Sequence, residues 1–170
     1  MPTARYPLDI RVATAQRGQV DLVALRRLVR EVLRDEEQPA GTALALRVAG
    51  DEFLHTLNLE HRGVDAPTDV LSFPYDEGEA VPVPEGFEDE EGRYLGDIAI
   101  SLETAGQQAK AARITLDEEV QHIVLHGVLH LLGYDHETPE EARDMEEREE
   151  RRLGAYIHGG PKRRGPAHTD

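Results

Sequence analysis

Three histidines in the segment 126–136, HGVLHLLGYDH, have the spacing of ligands to one metal ion. His126 and His130 are four residues apart, which on a helix places both rings on one face with Cβ atoms about 6 Å apart. Two imidazole nitrogens at that spacing can reach one ion at about 2.1 Å. Gly133 can adopt the left-handed turn that ends a helix, so the chain can return with His136 over the same ion. We therefore predict one zinc-type ion on His126, His130 and His136.

This ligand set favours catalysis over a purely structural role. Three neutral imidazoles leave a divalent ion its full charge and one open position, where the pKa of a bound water falls toward about 7. A structural zinc site normally has a fourth protein ligand. His122 shares the helix face but lies about 12 Å along the axis from His130, so we do not expect it to bind the same ion. The other histidines, at 55, 61, 158 and 168, receive no metal role.

Position 127 separates this motif from that of the zinc peptidases. In the HExxH motif, the residue after the first histidine is a glutamate that acts as general base. Here that residue is Gly127. The usual peptidase base is therefore missing, which leaves another kind of metal-dependent hydrolase as the better hypothesis.

Alternating strand and helix patterns predict one α/β domain over residues 1–155 that positions these groups. Strands are predicted at 7–13, 42–48, 69–73 and 94–100, in a single mixed sheet of about four strands. About five helices are predicted, at 20–34, 51–61, 101–113, 116–132 and 139–153. The long helix 116–132 carries the first two ligands, begins at a capping-box signature (Thr115 with Glu118) and ends at the Gly133 turn. Residues 75–92 are predicted to form an acidic loop, and residues 156–170 a disordered tail.

Composition narrows the functional classes. The 170 residues include no cysteine, which excludes disulfides and thiolate zinc sites. The sequence shows neither a secretory signal nor an apolar run long enough for a membrane span, so we expect a cytoplasmic protein without a membrane partner. The net charge of −15 opposes broad, charge-driven binding of nucleic acid. A nucleic-acid substrate would have to meet a local basic patch, with Arg62, Arg47, Arg93, Lys110 and Arg113 as candidates.

Three segments together resemble the bacterial YbeY family of endoribonucleases and ribosomal RNA maturation factors. They are the histidine motif, the segment 57–74 (LNLEHRGVDAPTDVLSFP) and the segment 95–101 (LGDIAIS). The resemblance spans roughly residues 40–155 in the expected order. It implies zinc on His126, His130 and His136, and hydrolysis of single-stranded RNA during maturation of the small-subunit ribosomal RNA 3′ end and ribosome quality control. It also implies contact with the small ribosomal subunit or an assembly GTPase.

The functional arginine of this family falls on Arg62. Its planar guanidinium can bind phosphate oxygens through two donors and stays charged at any relevant pH, so it could stabilise charge that develops on a scissile phosphate. A surface ion pair with Glu60 or Asp65 is the alternative. Asp69 and Asp97 could orient Arg62 or a ligand histidine, and Ser72 is a weaker candidate for substrate contact.

Two other functions stay open at the level of sequence. One is a zinc metallopeptidase-like hydrolase with an unusual base. The other is a non-enzymatic ribosome assembly factor whose metal is structural. The nucleophile, either water or the 2′-hydroxyl of the RNA, is also open.

Overall fold

The computed structural model describes residues 6–75 and 93–158. The strands in these ranges are β1 (Leu8–Val12), β2 (Ala43–Ala49), β3 (Val70–Pro74) and β4 (Tyr94–Ser101). The α-helices are α1 (Leu22–Asp35), α2 (Asp51–Arg62), α3 (Leu102–Ala112), α4 (Leu116–Leu131) and α5 (Pro139–Leu153). One-turn 3-10 helices follow β1 at Thr14–Gln16 and α5 at Ala155–His158.

The strands form one mixed sheet in the order β1-β2-β4-β3. β1, β2 and β4 are mutually parallel, and β3 pairs antiparallel with β4 at the opposite edge. The predicted α/β class, with one mixed sheet of about four strands and about five helices, is confirmed.

The main core lies between one face of the sheet and the helices α1, α3, α4 and α5. α4 is buried along most of its length, since Val120, Val124 and Val128 are almost fully shielded from solvent. Ile98 and Ile100 of β4 meet it from the sheet. The other face carries a smaller cluster under α2, which includes Leu54. The metal helix, α4 with His126 and His130, is therefore the central helix of the main core. Packing along its whole length sets its position.

The ends of α4 form as the sequence predicts. The Thr115 hydroxyl accepts from Glu118 N at 3.1 Å and the Glu118 carboxylate accepts from Thr115 N at 2.9 Å, which completes the capping box. Beyond the helix, Gly133 has φ of +104°, the left-handed region that glycine tolerates. The chain reverses there and returns toward the helix face that carries His126 and His130.

Two predicted segments fall largely outside the described residues. The acidic loop 75–92 is described only at Tyr75, and the tail only as far as His158, within the 3-10 helix. The predicted domain bounds of 1–155 and the predicted disorder of the tail 156–170 stay predictions. No helix among the described residues is long and apolar enough to cross a membrane.

Candidate metal centre

The three predicted ligands converge in the structure. Nε2 of His130 lies 3.1 Å from Nε2 of His126. The His136 ring centroid is 5.5 Å from that of His126 and 5.0 Å from that of His130. One potential ligand atom from each residue lies within 4.8 Å of the other two. This donor set fits a divalent transition-metal ion bound by imidazole nitrogens.

A buried carboxylate fixes the orientation of the first ligand. Oε2 of Glu149, on α5, lies 2.6 Å from Nδ1 of His126, and Glu149 is only 2% exposed. An ionised carboxylate only accepts hydrogen bonds, so Nδ1 must donate, and in the neutral tautomer that this selects Nε2 has its lone pair available for a metal. Ligand histidines in metal sites commonly have such a partner.

The ionisation of these groups suits metal binding. Burial, together with the neighbouring His126 and His136 rings, lowers the pKa of His130, which keeps this ligand neutral at pH 7. Burial opposes ionisation of Glu149, but hydrogen bonds from His122 and His126 outweigh it and lower the pKa of Glu149 to about 2. The centre therefore combines the neutral imidazole of His130 with a carboxylate that is charged over the whole physiological range.

The third ligand is held by contacts of the turn between α4 and α5. The Tyr134 hydroxyl donates to Glu36 Oε1 on α1 at 2.6 Å. Arg148 of α5 stacks over the Tyr134 ring at 4.3 Å and binds Glu36 Oε2 at 2.8 Å. This three-residue contact ties the turn to two helices, so His136 is positioned although its side chain is 57% exposed.

Arg62 and the three histidines line one open cleft of about 640 Å³. Arg62 is exposed in the last turn of α2. Within the described residues neither Glu60 nor Asp65 pairs with it, and Asp65 instead contacts His55 at 2.6 Å. The surface ion pair considered for Arg62 is therefore not formed there, and its guanidinium is available to a ligand in the cleft.

Two further sequence candidates belong to the same cleft. Ser72 lies in β3 and its hydroxyl is 3.5 Å from the Gly127 carbonyl. Asp69 accepts from the backbone N–H of Val70 at 2.8 Å and from the Thr68 hydroxyl at 3.2 Å. Asp69 thus holds the start of β3 and presents a carboxylate to the cleft wall.

Asp97 does not take the role considered for it. It accepts a hydrogen bond from the Tyr94 hydroxyl at 2.5 Å and lines a separate groove on the sheet face that α2 partly covers. The reason is strand alternation, because Ile98 points to the metal helix and its neighbour must point away. Arg47 lies in that groove too, 5.0 Å from the Phe53 ring. Of the five basic candidates, Arg62 alone lines the metal cleft.

The structure explains the glycine at position 127. A Cβ built there would lie 3.1 and 3.2 Å from two carbons of Ile98 and 3.2 Å from the Ser72 hydroxyl. Gly127 is buried on the side of α4 that packs against the sheet. A glutamate at this position would therefore face the core. The absence of a peptidase base is thus built into the packing of the metal helix.

Sequence reasoning missed Glu149 and the part that His158 plays beside it. Nε2 of His158 lies 2.9 Å from Glu149 Oε1, although His158 was assigned no role. A signal for Glu149 existed, because it shares one helix face with Met145 and Leu153 at four-residue spacing. An acidic residue on an apolar helix face needs a buried partner.

Comparisons with known proteins agree with this geometry. The model of the family described as Endoribonuclease YbeY matches residues 11–156. A relative of that name from Roseiflexus castenholzii is 40% identical over 91% of this chain and 96% of its own length. Another, from Pelotomaculum thermopropionicum, is 45% identical over 76% of this chain and 82% of its own length.

A solved structure supports the fold independently. The solution structure of a Thermotoga maritima protein superposes with a TM-score of 0.57 at 23% identity and covers 96% of this chain and 100% of its own. At that identity the likeness speaks for the fold alone. The family match, by contrast, covers the histidine motif, Arg62 and the segments between them, and the curated relatives are similar over most of their own length. The chain therefore belongs to the endoribonuclease YbeY family.

Proposed function

We propose that this chain is a zinc-dependent endoribonuclease that cleaves single-stranded RNA, with the 3′ end of small-subunit ribosomal RNA as its physiological target. The observation that carries the proposal is the single cleft in which three convergent imidazoles meet an arginine that pairs with no carboxylate of the described residues. The names of the curated relatives supply the class of substrate. Contact with the small subunit or an assembly GTPase belongs to the same proposal.

Each group in the cleft has a definite task. His126, His130 and His136 would hold the ion, which when bound supplies a Lewis acid and lowers the pKa of water. Glu149 keeps Nε2 of His126 free by accepting from Nδ1. Arg62 would donate two hydrogen bonds to the scissile phosphate and stabilise the negative charge that grows on it.

The cleft also explains how an acidic protein meets RNA. Its walls include Arg62 along with the carboxylates of Asp69 and Asp135. One arginine against two carboxylates gives this wall a net negative charge when no ion is bound, so a divalent cation would be needed to make the cleft attractive to phosphate. We expect RNA affinity as well as cleavage to depend on the metal.

Neither rival function gains support from the geometry. A peptidase would need a base beside the first ligand, and Gly127 faces the sheet instead. A structural ion would be enclosed, whereas this one would sit at an open cleft beside the half-exposed His136. Chelation should therefore abolish cleavage while the far-ultraviolet circular dichroism spectrum stays native.

The test compares cleavage of one labelled RNA, single-stranded and in a duplex, before and after chelation and again after zinc is restored. His130→Ala should lose the ion and the activity. Arg62→Ala should keep the metal but cleave about 100- to 1,000-fold more slowly. His55→Ala and Arg27→Ala are matched controls, because His55 is only half-buried, Arg27 is exposed, and both lie outside the cleft.

Three results would contradict the proposal. They are cleavage at the native rate by chelated protein, undiminished cleavage by Arg62→Ala, and hydrolysis of a defined peptide panel in place of RNA. The end group left on the RNA identifies the nucleophile. A 2′,3′-cyclic phosphate indicates attack by the 2′-hydroxyl, and its absence indicates attack by water.

A further inference from the structure

A second cluster of ligand-type side chains lies beside the first centre, in a neighbouring cleft of about 340 Å³. His122 stands one helical turn before His126 on α4, Glu149 comes from α5 and His158 ends the last 3-10 helix. Glu149 Oε1 lies 3.1 Å from His122 Nε2 and 2.9 Å from His158 Nε2. We propose that Nε2 of His122, Oε1 of Glu149 and Nε2 of His158 form a second transition-metal site.

The distances suit ligation of one ion. Ligand atoms about 2.1 Å from a tetrahedral ion lie about 3.4 Å from one another. Here the candidate atoms all lie within 4.8 Å, with two of the three separations near 3 Å. Two imidazoles and one carboxylate also form a known zinc ligand set that leaves a fourth position for water.

The outer hydrogen bonds aim the ring nitrogens at a common point. Nδ1 of His122 lies 3.2 Å from Glu119 Oε1, and Nδ1 of His158 lies 2.7 Å from Glu150 Oε2. Each carboxylate accepts the Nδ1 proton, so a metal ion that replaces any proton on Nε2 would take a lone pair that faces Glu149 Oε1. This arrangement repeats the one at His126, where a carboxylate also holds Nδ1.

The charge balance points the same way. The carboxylates of Glu119, Glu149 and Glu150 surround only two imidazoles. Glu149 is almost fully buried and Glu119 is 7% exposed, so their charges are poorly screened by water. One divalent cation among these three carboxylates would compensate two of their charges.

Glu149 links the two centres. Its Oε1 faces the second site while its Oε2 holds the ligand His126 of the first. An ion in the second site would fix the Glu149 carboxylate and with it the His126 ring. We therefore expect the first centre to bind its ion more weakly when the second is empty, by about tenfold or more, as for loss of an outer-shell partner.

The test is a metal titration of the full chain. Metal-free protein is titrated with Co²⁺ and Zn²⁺ by calorimetry, and metal retained after gel filtration is counted by mass spectrometry. The native chain should bind two equivalents and His158→Ala one, while the matched control His55→Ala should still bind two. Co²⁺ absorption should lose one of two sets of bands in His158→Ala. The substitution removes a partly exposed ring at the end of the last 3-10 helix, and circular dichroism verifies the fold.

The outcomes separate the two centres. Binding of a single equivalent by the native chain would overturn the second site, as would two equivalents in His158→Ala. His136→Ala should lose the first ion and keep the second. If His136→Ala keeps both ions, the first centre and the proposed function fail while the second site stands.

Discussion

Gly127 lies where α4 packs against Ile98 and Ser72 of the sheet, and Gly127→Ala measures how tightly α4 is packed there. The new Cβ would lie 3.1 to 3.2 Å from Ile98 and Ser72, inside the roughly 3.5–4.0 Å of an ordinary carbon contact. Overpacking of this kind costs about 1–3 kcal/mol. The gain in helix propensity returns about 0.8–1.0 kcal/mol. We expect a net destabilisation of about 1 kcal/mol.

Gly106→Ala provides the matched control, since Gly106 lies in the middle of α3 with nothing within 4 Å of the added Cβ. It should stabilise the protein by about 0.8–1.0 kcal/mol. The difference between the two variants then isolates the overpacking cost of about 1–3 kcal/mol. Urea denaturation of the metal-free protein gives both free energies of unfolding. Equal stabilisation by the two variants would refute the close packing of α4.

The same variant should also reach the metal. His126 immediately precedes Gly127, so a shift of α4 away from the sheet moves that ligand relative to His136, which is anchored through Tyr134. We expect weaker zinc binding in Gly127→Ala and unchanged binding in Gly106→Ala. Ile98→Val, which removes one of the crowding carbons, should restore part of the stability when combined with Gly127→Ala.

Three further predictions concern stability. Thr115→Ala removes the capping box with Glu118 and should lower the free energy of unfolding by about 0.5–2 kcal/mol. Thr115→Ser should retain the capping box and the stability. An unchanged urea midpoint in Thr115→Ala would contradict this. Gly63 caps α2 with φ of +68°, and an added Cβ would meet no atom within 4 Å. Gly63→Ala should therefore lower the free energy of unfolding by about 1 kcal/mol through backbone strain alone, and Gly63→Asn should lower it less. Thermal unfolding of the two variants checks this order. Burial disfavours the His122 cation, but hydrogen bonds to Glu119 and Glu149 raise the pKa of His122 from its ordinary 6.5 to about 9. Its stabilisation of the metal-free protein, on the order of 3 kcal/mol, is therefore complete below pH 6.5 and is lost as the pH rises through 9. His122→Asn should flatten this pH dependence of the free energy of unfolding, measured with chelator present.

Local patterns in the sequence were enough to predict the elements that carry the chemistry. The four-residue spacing of His126 and His130 needs only helical geometry to place both rings on one face. The turn at Gly133 and the capping box at Thr115 are also short-range, because each depends on residues within one helical turn of it. The sequence therefore determined the helix, its ends, the convergence of the three histidines and the family likeness.

Tertiary packing decided what surrounds those ligands. Glu149 reaches His126 across 23 residues of sequence, and Tyr134 reaches Glu36 across 98. Helical periodicity indicates which face of a helix is buried, but it does not say which residue of another helix meets that face. The roles of Glu149 and His158, and the separation of Asp97 from the cleft, follow from how α5 and β4 pack against α4. Those contacts exist only once the core has formed, because packing of the whole core sets the relative positions of these elements.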